Sequence, residues 1–542
     1  MTRSVIRLLC LNLLVLGCSV GSGMAADATS AAPVKETPPR RPNIILVMAD
    51  DLGWSDIGCY GSEIETPHID SLAKDGLRFT QFYNNAICGP TRASLLTGLY
   101  CQQIGHRGDR WNEPKDFQKC VTIGEVLQNA GYHTAVVGKW QGRDSALDRG
   151  FHRFFGPMCQ AKISYFHEVQ NNPYYVDRQR YELPDDFYLT DALNDYALRF
   201  LKEGLTKEQP FFLYVAHIAP HWPLHAREID VAGYREKYRK LGWDEVRASR
   251  LKSQRQSGLI PSEWHLAPRP ANVRDWKSDP HKEWQAERMA VYAAQVSAID
   301  RGVGQLLKAL KAAGKEDNTL VMFLSDNGAA PDGGLAPTES GFGFGPKSPG
   351  TNWRKDGLAI RPGSAPGNPP GPHDTFAAYG LAWATASNTP LRGTKLGAFE
   401  GGIRTPLVAR WPAVIRERGS ITRQSGHVID FMATCLDVAG ADYPTEFNRR
   451  QPLPLEGRSL LPVFQGKQRD EHEELCWSVP HHHAIRVGQW KAIRPRAGGS
   501  WQLFDLDQDG TETTDLALSE PERVKQLADR FEAWRKRVGS DQ

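Results

Sequence analysis

Four apolar runs in this chain each end on residues that can do chemistry. "NIILVMADD" ends in Asp50 and Asp51, and "NTLVMFLSDNG" ends in Asp326 and Asn327. "HTAVVGKW" ends at Lys139, and "FFLYVAHIAPHWP" leads to His217 and His221. Read singly, these residues are ordinary. Asp50-Asp51 suits a helix cap beside a solvated acid, and Asp326-Asn327-Gly328 suits a turn. Lys139 and His221 suit a strand end and a turn. Taken together they change character. Three carboxylates and one amide offer only oxygen ligands, which suit a hard divalent cation and not zinc. A cysteine, Cys88, stands nearby in sequence in "NNAICGPTRASLLTGLY", at the mouth of a short apolar helix. A thiol there can be a nucleophile, half of a disulfide, or buried filler.

The elements that must carry these residues follow from the same runs. Continuous apolar stretches are strands covered on both faces. Helices fall between them. Thr66-Pro67 opens one in "TPHIDSLAKDG". Thr122 and Glu125 form a capping box in "TIGEVLQNAG", which stops at Gly131. Met289, Tyr292, Val296, Ile299, Val303, Leu306 and Leu310 recur at helical spacing. Alternating strands and helices predict an α/β fold around a large, mostly parallel sheet, whose ligands bind beyond the carboxyl ends of the strands. Residues 331–380 are rich in Gly and Pro and read as a binding loop or disorder. After about residue 455 the pattern changes. "HHHAIRVGQWKAIRP" and "SWQLFDLDQDGTETTDLA" read as antiparallel strands with a turn at Asp509-Gly510, followed by a last helix. The expected layout is a signal peptide over 1–26, a disordered lead-in over 27–41, a catalytic domain over 42–454, and a smaller C-terminal α+β domain over 455–542.

Composition sets limits. At 542 residues the chain has room for two domains, or for one large core with an appendage. Its net charge of +3 gives no footprint for nucleic acid. Arg3 and Arg7 precede "LLCLNLLVLG", and small residues follow. This is an export signal cleaved near Ala26, too short to span a bilayer, with lipoprotein processing at Cys18 as the alternative. The expected location is therefore secreted or periplasmic, with no transmembrane segment. Cleavage leaves Cys59, Cys88, Cys101, Cys120, Cys159, Cys435 and Cys476, an odd set with no CxxC pair.

"CGPTRASLLTG" resembles the signature of type I sulfatases, Cys-x-Pro-x-Arg followed by Leu-Thr-Gly. The resemblance extends over nearly the whole mature chain and is closest to arylsulfatase-type members, through "APHWPLHA", "LDRGFHRFFG" and "NTPLRGTKLGAFEGGIRTP". It implies an alkaline-phosphatase-like fold and hydrolysis of sulfate esters, of sulfated carbohydrates or aryl sulfates. It also implies that Cys88 is converted by a formylglycine-generating enzyme to formylglycine, whose hydrate carries the nucleophilic oxygen. By the same resemblance Asp50, Asp51, Asp326 and Asn327, with residue 88, hold calcium, and Arg92 holds the hydrated aldehyde one helical turn away. Lys139 and Lys395 bind sulfate oxygens, and His221 gives a proton to the leaving oxygen or binds the sulfate. A phosphonate or phosphodiester hydrolase of the same superfamily is the alternative activity.

This chain departs from the family at "GKWQGR", where Gln141 stands in place of a histidine that acts as base. Glutamine hydrogen-bonds but takes no proton at neutral pH. Slow turnover, another base, or a binding protein for sulfated glycans would each follow from that change. His217 and His225 have no role in the pattern. His481, His482 and His483 read as a loop at the cleft rim.

Overall fold

A computed structural model describes residues 41–105, 119–140, 144–158, 163–169, 172–331, 361–480, 482–496 and 498–540. The leader, Gln141, Cys159, His481 and residues 332–360 lie outside the described residues.

The Asn43–Ala49 run forms the central strand. It pairs in parallel with Phe211–Ala216 on one side and Thr319–Ser325 on the other. His133–Gly138 extends the parallel set beyond Phe211–Ala216. Arg404–Arg410 lies antiparallel between Thr319–Ser325 and Leu77–Tyr83. Among the described residues the sheet has eleven strands, mixed but mostly parallel at its centre. Alternation along the central strand divides two cores. Ile45, Val47 and Ala49 point to one, and Ile44, Leu46 and Met48 to the other. The Lys282–Ala312 helix covers the first face with Met289, Tyr292, Val296, Ile299, Val303, Leu306 and Leu310, as its spacing predicts. The second face takes Leu95 and Leu96 of the Cys88–Thr97 helix, together with Ile123, Val126 and Leu127. Truncating either buried leucine to alanine would cost about 2–5 kcal/mol.

The C-terminal strands Leu475–Val479, His482–Val487, Trp490–Arg494 and Gln502–Asp505 form an antiparallel sheet in chain order. The Pro521–Arg537 helix seals one face through Leu527, Phe531 and Trp534. On the other face, Leu475, Trp477, Ala484, Ile493 and Phe504 pack on Ala86, Ile87, Ala398 and Phe399. These last residues flank Cys88 and Lys395, so the small sheet floors the segments that carry both.

Two expectations about this region need correction. Asp509-Gly510 does not join two strands; the tight hairpin turn is at Gly488-Gln489. Gly510 lies under the Trp264 indole, where a Cβ would come within 2.0 Å of a ring carbon, so glycine is needed for packing. The Asp509 carboxylate accepts from the backbone N–H groups of Thr513 and Thr514, at 2.7 Å each, and closes a loop on itself. His482 and His483 are strand residues, not a rim loop. Pairing with Leu475–Val479 and Trp490–Arg494 consumes their backbone groups.

Candidate active site

Strand register brings the acids together. Ala49 pairs with Ser325, so the next residues, Asp50 and Asp326, leave adjacent strands side by side. Asp50, Asp326 and Asn327 are fully buried, and Asp51 is 2% exposed. Asp51 has φ 66°, in the left-handed region that a non-glycine residue occupies at a cost of about 1–3 kcal/mol. Its N–H donates to Asp326 Oδ1 at 3.2 Å, and Lys395 and Asn327 hold its carboxylate. Gly138 has φ 98°, and a Cβ there would come within 2.1 Å of the Ala216 carbonyl. Only glycine lets the chain turn there and send Lys139 back over the acids.

Cys88 opens its helix at the first helical position, 5% exposed. Asn85 braces that start, donating to the Pro90 carbonyl at 3.2 Å and Ser94 Oγ at 2.9 Å. The ligand atoms of Cys88, Asp50 and Asp326 lie within 4.8 Å of one another, as do those of Asp50, Asp51 and His221. Arg92, one turn from Cys88, is fully buried. Its Nε donates to Asp326 Oδ2 at 2.9 Å, and its Nη2 stands 3.5 Å from Asp50 Oδ2. Lys139 Nζ reaches Asp50 Oδ2 at 2.5 Å, and Lys395 Nζ reaches Asp51 Oδ1 at 2.6 Å. The structure thus brings all nine sequence-predicted site residues into one cluster.

His221 is the most exposed of them, its side chain 16% accessible. Its Nδ1–H donates to the Trp222 carbonyl at 2.6 Å. This leaves Nε2, 3.5 Å from Asp51 Oδ2, as the nitrogen that can exchange a proton at the cluster.

The electrostatics are those of charges removed from water. Burial would raise the Asp50 carboxyl, but Lys139, His221, Arg92 and Lys395 outweigh it and hold it low. Burial, and then the Asp50 charge, push Asp326 up to about 7 against Arg92 and Lys139. Burial also raises the Cys88 thiol, although Lys139 and Lys395 oppose it. The unmodified side chain is therefore a neutral thiol at pH 7 and a poor nucleophile.

Three buried acceptors in this cluster have no donor: Asp50 Oδ1, Asp51 Oδ2 and Asn327 Oδ1. A buried unpaired acceptor costs about 1–3 kcal/mol. A group of them in one place is what a hard cation would satisfy, so the donor set passes the test for calcium-like ligation.

Three supporting residues have no role assigned from the sequence: Tyr214 and Asn388 are not singled out there, and His217 is named without a function. Tyr214 Oη accepts from Arg92 Nη1 at 3.4 Å, and the His217 carbonyl accepts from Nη2 at 3.2 Å. The His217 imidazole is buried and neutral, its pKa lowered to about 3 by burial and then by Arg92. Asn388 Oδ1 accepts from Ala329 N at 3.0 Å, and its Nδ2 donates to the Gly393 carbonyl at 3.0 Å. It thereby ties the segment after Asn327 to the Lys395 loop. Asn388 belongs to the "NTPLRGTKLG" stretch and could have been found there; Tyr214 looks like any residue of an apolar run, and it is the His217 carbonyl, not its ring, that meets Arg92.

Comparison with known proteins agrees with this geometry. The Sulfatase family pattern matches residues 42–441, and the pattern described as N-sulphoglucosamine sulphohydrolase, C-terminal, matches residues 395–537. An uncharacterized sulfatase of Schizosaccharomyces pombe is 31% identical, over 92% of this chain and 94% of its own length. The arylsulfatase of Klebsiella aerogenes is also 31% identical, over 80% and 94%. Among solved structures, Ps i-CgsB, solved also in complex with k-i-k-neocarrahexaose, has TM-score 0.66 and 26% identity over 91% of this chain and 93% of that one. The phosphonate monoester hydrolase of Agrobacterium radiobacter shares the fold at TM-score 0.56 and 20% identity, over 92% and 96%. The chain belongs to the sulfatase family and is a sulfuric ester hydrolase.

Proposed function

We propose that this is an exported, formylglycine-dependent sulfatase that removes sulfate from sulfated carbohydrates, with a calcium ion held by Asp50, Asp51, Asp326 and Asn327. The observation that carries the reading is the set of donorless oxygens on Asp50, Asp51 and Asn327, facing a cysteine that is itself a poor nucleophile. When bound, the cation supplies positive charge against the sulfuryl oxygens and the nucleophile. Formylglycine at position 88 supplies, once hydrated, an oxygen able to attack sulfur. The other side chains do the rest. Lys139 and Lys395 bind sulfuryl oxygens, and Arg92 orients residue 88 from one turn away. Preorganised charge of this kind in a dry cleft is usually the largest catalytic contribution. His221 Nε2 delivers the proton to the departing oxygen, since it alone combines partial exposure with a place at the cluster. The carbohydrate preference is supported by the oligosaccharide complex of Ps i-CgsB, and export by residues 1–26. In this reading residues 42–454 carry the catalysis and 455–542 form the sheet-and-helix support.

The test joins mass and rate. The protein is produced together with a formylglycine-generating enzyme, and the peptide containing position 88 is weighed. It should be lighter than the thiol form by the difference between CH2SH and CHO side chains. Turnover of para-nitrophenyl sulfate should rise in proportion to the converted fraction. An active preparation holding only unmodified cysteine would overturn the reading.

A further inference from the structure

A second cleft lies away from the catalytic cluster, where the edge of the large sheet meets the C-terminal sheet and the segment following the Glu228–Gln256 helix. Its volume is about 540 Å³, and Thr80, Trp264, Arg404, Arg423, Glu471 and Arg486 are among the residues that line it. The polar groups here have the opposite deficiency to those at the strand ends. There acceptors lack donors; here donors lack acceptors.

Arg404, 2% exposed, lies between two indoles, its guanidinium carbon 5.4 Å from the Trp54 ring and 5.3 Å from the Trp264 ring. Its Nε donates to the Thr80 carbonyl and its Nη1 to Glu400 Oε2 at 3.4 Å, while its Nη2 has no protein acceptor among the described residues. Trp264 lines the cleft and its indole N–H is buried without an acceptor, while Trp54, fully buried, backs Arg404 from behind. Arg423, exposed at the cleft, makes neither hydrogen bond nor ion pair among the described residues. Arg486 is anchored by the Gly488 carbonyl at 2.8 Å, Tyr83 Oη at 2.7 Å and Gln81 Oε1 at 2.5 Å. Two carboxylates share the wall. Glu471 accepts from Ser425 N at 3.3 Å and Ser425 Oγ at 3.0 Å, and Asp507 is solvent-exposed. Arg404 is thus balanced by Glu400 behind it, Glu471 is occupied by Ser425, and Arg423 and the free edge of Arg404 are left to meet a ligand.

We propose that this cleft is a second, non-catalytic binding site for a tetrahedral sulfuryl oxyanion, as free sulfate or as the sulfate group of an ester. Guanidinium edges suit such oxygens, and charge-assisted hydrogen bonds to them are about twice as strong as neutral ones. Glu400, which receives Arg404, is fully buried and accepts Lys491 Nζ at 2.8 Å. It opens the short Glu400–Ile403 helix, five residues after Lys395.

The test is equilibrium dialysis of the full-length protein against radiolabelled inorganic sulfate at constant ionic strength. Wild type should bind two sulfates per chain, one at the catalytic lysines and one in the cleft. Arg423→Gln, an exposed and partnerless position, should weaken the cleft site about tenfold, the loss expected for one charged hydrogen bond. Arg423→Glu should weaken it further. Lys395→Ala should keep the cleft sulfate. Competition by methyl sulfate in Cys88→Ala protein separates the sources: displacement from the cleft assigns recognition of the ester, and none assigns the free dianion. If both Arg423 variants bind sulfate as wild type does, or if Lys395→Ala removes all binding, the cleft proposal is overturned. A single sulfate, weakened by Arg423→Gln and untouched by Lys395→Ala, would instead keep the cleft and refute the catalytic assignment.

Discussion

Two buried clusters of charge in this molecule look alike by composition and differ in how their atoms are satisfied. One is the strand-end group of Asp50, Asp51 and Asp326 with Arg92, Lys139 and Lys395. The other surrounds Asp430, fully buried at the first turn of the Asp430–Ala439 helix. Asp430 Oδ1 accepts from Arg458 N at 2.9 Å and His472 Nε2 at 2.7 Å. Its Oδ2 accepts from His427 N at 2.9 Å and Arg469 Nη2 at 3.0 Å. Both oxygens are served, so the group fastens structure. Burial acts to raise the Asp430 carboxyl, but His472 and Arg469 outweigh it and the net shift is downward. At the strand ends, Asp50 Oδ1, Asp51 Oδ2 and Asn327 Oδ1 are left over. The lesson is that burial and charge alone do not mark a site. What marks it is several buried acceptors without donors gathered at one point among the strand-end acids.

The sharpest way to break this contrast is to exchange the two effects. Cys88→Ala should lower turnover by about 10⁴-fold or more, the scale seen when a nucleophile is removed. Its unfolding free energy should change by only about 1 kcal/mol, since little volume is lost. Asp430→Ala should do the reverse. Removing one member of a buried ion pair costs about 3–5 kcal/mol, while activity per folded molecule is retained. Denaturant melts and active-site-normalised rates on both variants decide the matter. Equal loss of activity in both would erase the distinction between the clusters.

Chelation is the next largest effect. Stripping divalent cations should abolish turnover and lower the melting temperature, and calcium at a hundredfold excess over Kd should restore about 2.7 kcal/mol. Asp326→Asn should blunt both responses. Full activity in excess EDTA, with no metal found by elemental analysis, would refute the cation reading.

Gln141→His probes the one departure from the family pattern. A base with pKa near neutrality at that position should raise steady-state turnover by about a hundredfold, the low end of what general base catalysis contributes. The single-turnover burst of alcohol should change less. Absence of a burst in the wild type, with no gain in the variant, would assign the base elsewhere.

The smallest effect concerns His225, which is buried and neutral. Its Nε2–H donates to the Thr375 carbonyl at 2.6 Å, and Nδ1 accepts from Tyr165 N at 3.4 Å. Burial lowers its pKa to about 4. The unfolded chain takes up this proton below about pH 6.5 and the folded protein does so only near 4, so stability falls as pH drops through that window. The slope for one such group is about 1.4 kcal/mol per pH unit. His225→Gln should flatten the stability profile between pH 6.5 and 4 by up to that slope. An unchanged slope would mean that His225 is already charged in the folded state.

Much of the site was legible because its chemistry sits where chain pattern and chemistry coincide. The strand ending at Ala49 and the strand ending at Ser325 begin and stop where their apolar runs do, so the acids that follow had to emerge at the sheet's carboxyl end. The Thr122–Glu125 box closes as read, with Thr122 Oγ1 and the Glu125 carboxylate bonding reciprocally. Less legible were residues whose role depends on distant partners. Tyr214 reads as one more apolar strand residue, yet its hydroxyl meets Arg92. Asp509-Gly510 reads as a hairpin turn, yet Trp264, some 245 positions earlier in the chain, requires that glycine for packing.

By itself the sequence determined what is local: the strands, the helix that starts at Cys88, the one-turn spacing to Arg92, and the family that these motifs spell. Continuous apolar runs, a 3.6-residue period, and a motif read within one helical turn need no knowledge of the rest of the chain. Tertiary structure alone decided which buried acids are satisfied and which are not. Asp430 and Asp50 each follow an apolar residue, Ile429 and Ala49, yet donors from Arg458, His472, His427 and Arg469 reach both oxygens of the first, while one oxygen of the second is bare. That outcome is set by contacts across tens to hundreds of residues, because a hydrogen bond depends on position to within a few tenths of an ångström and not on nearness along the chain.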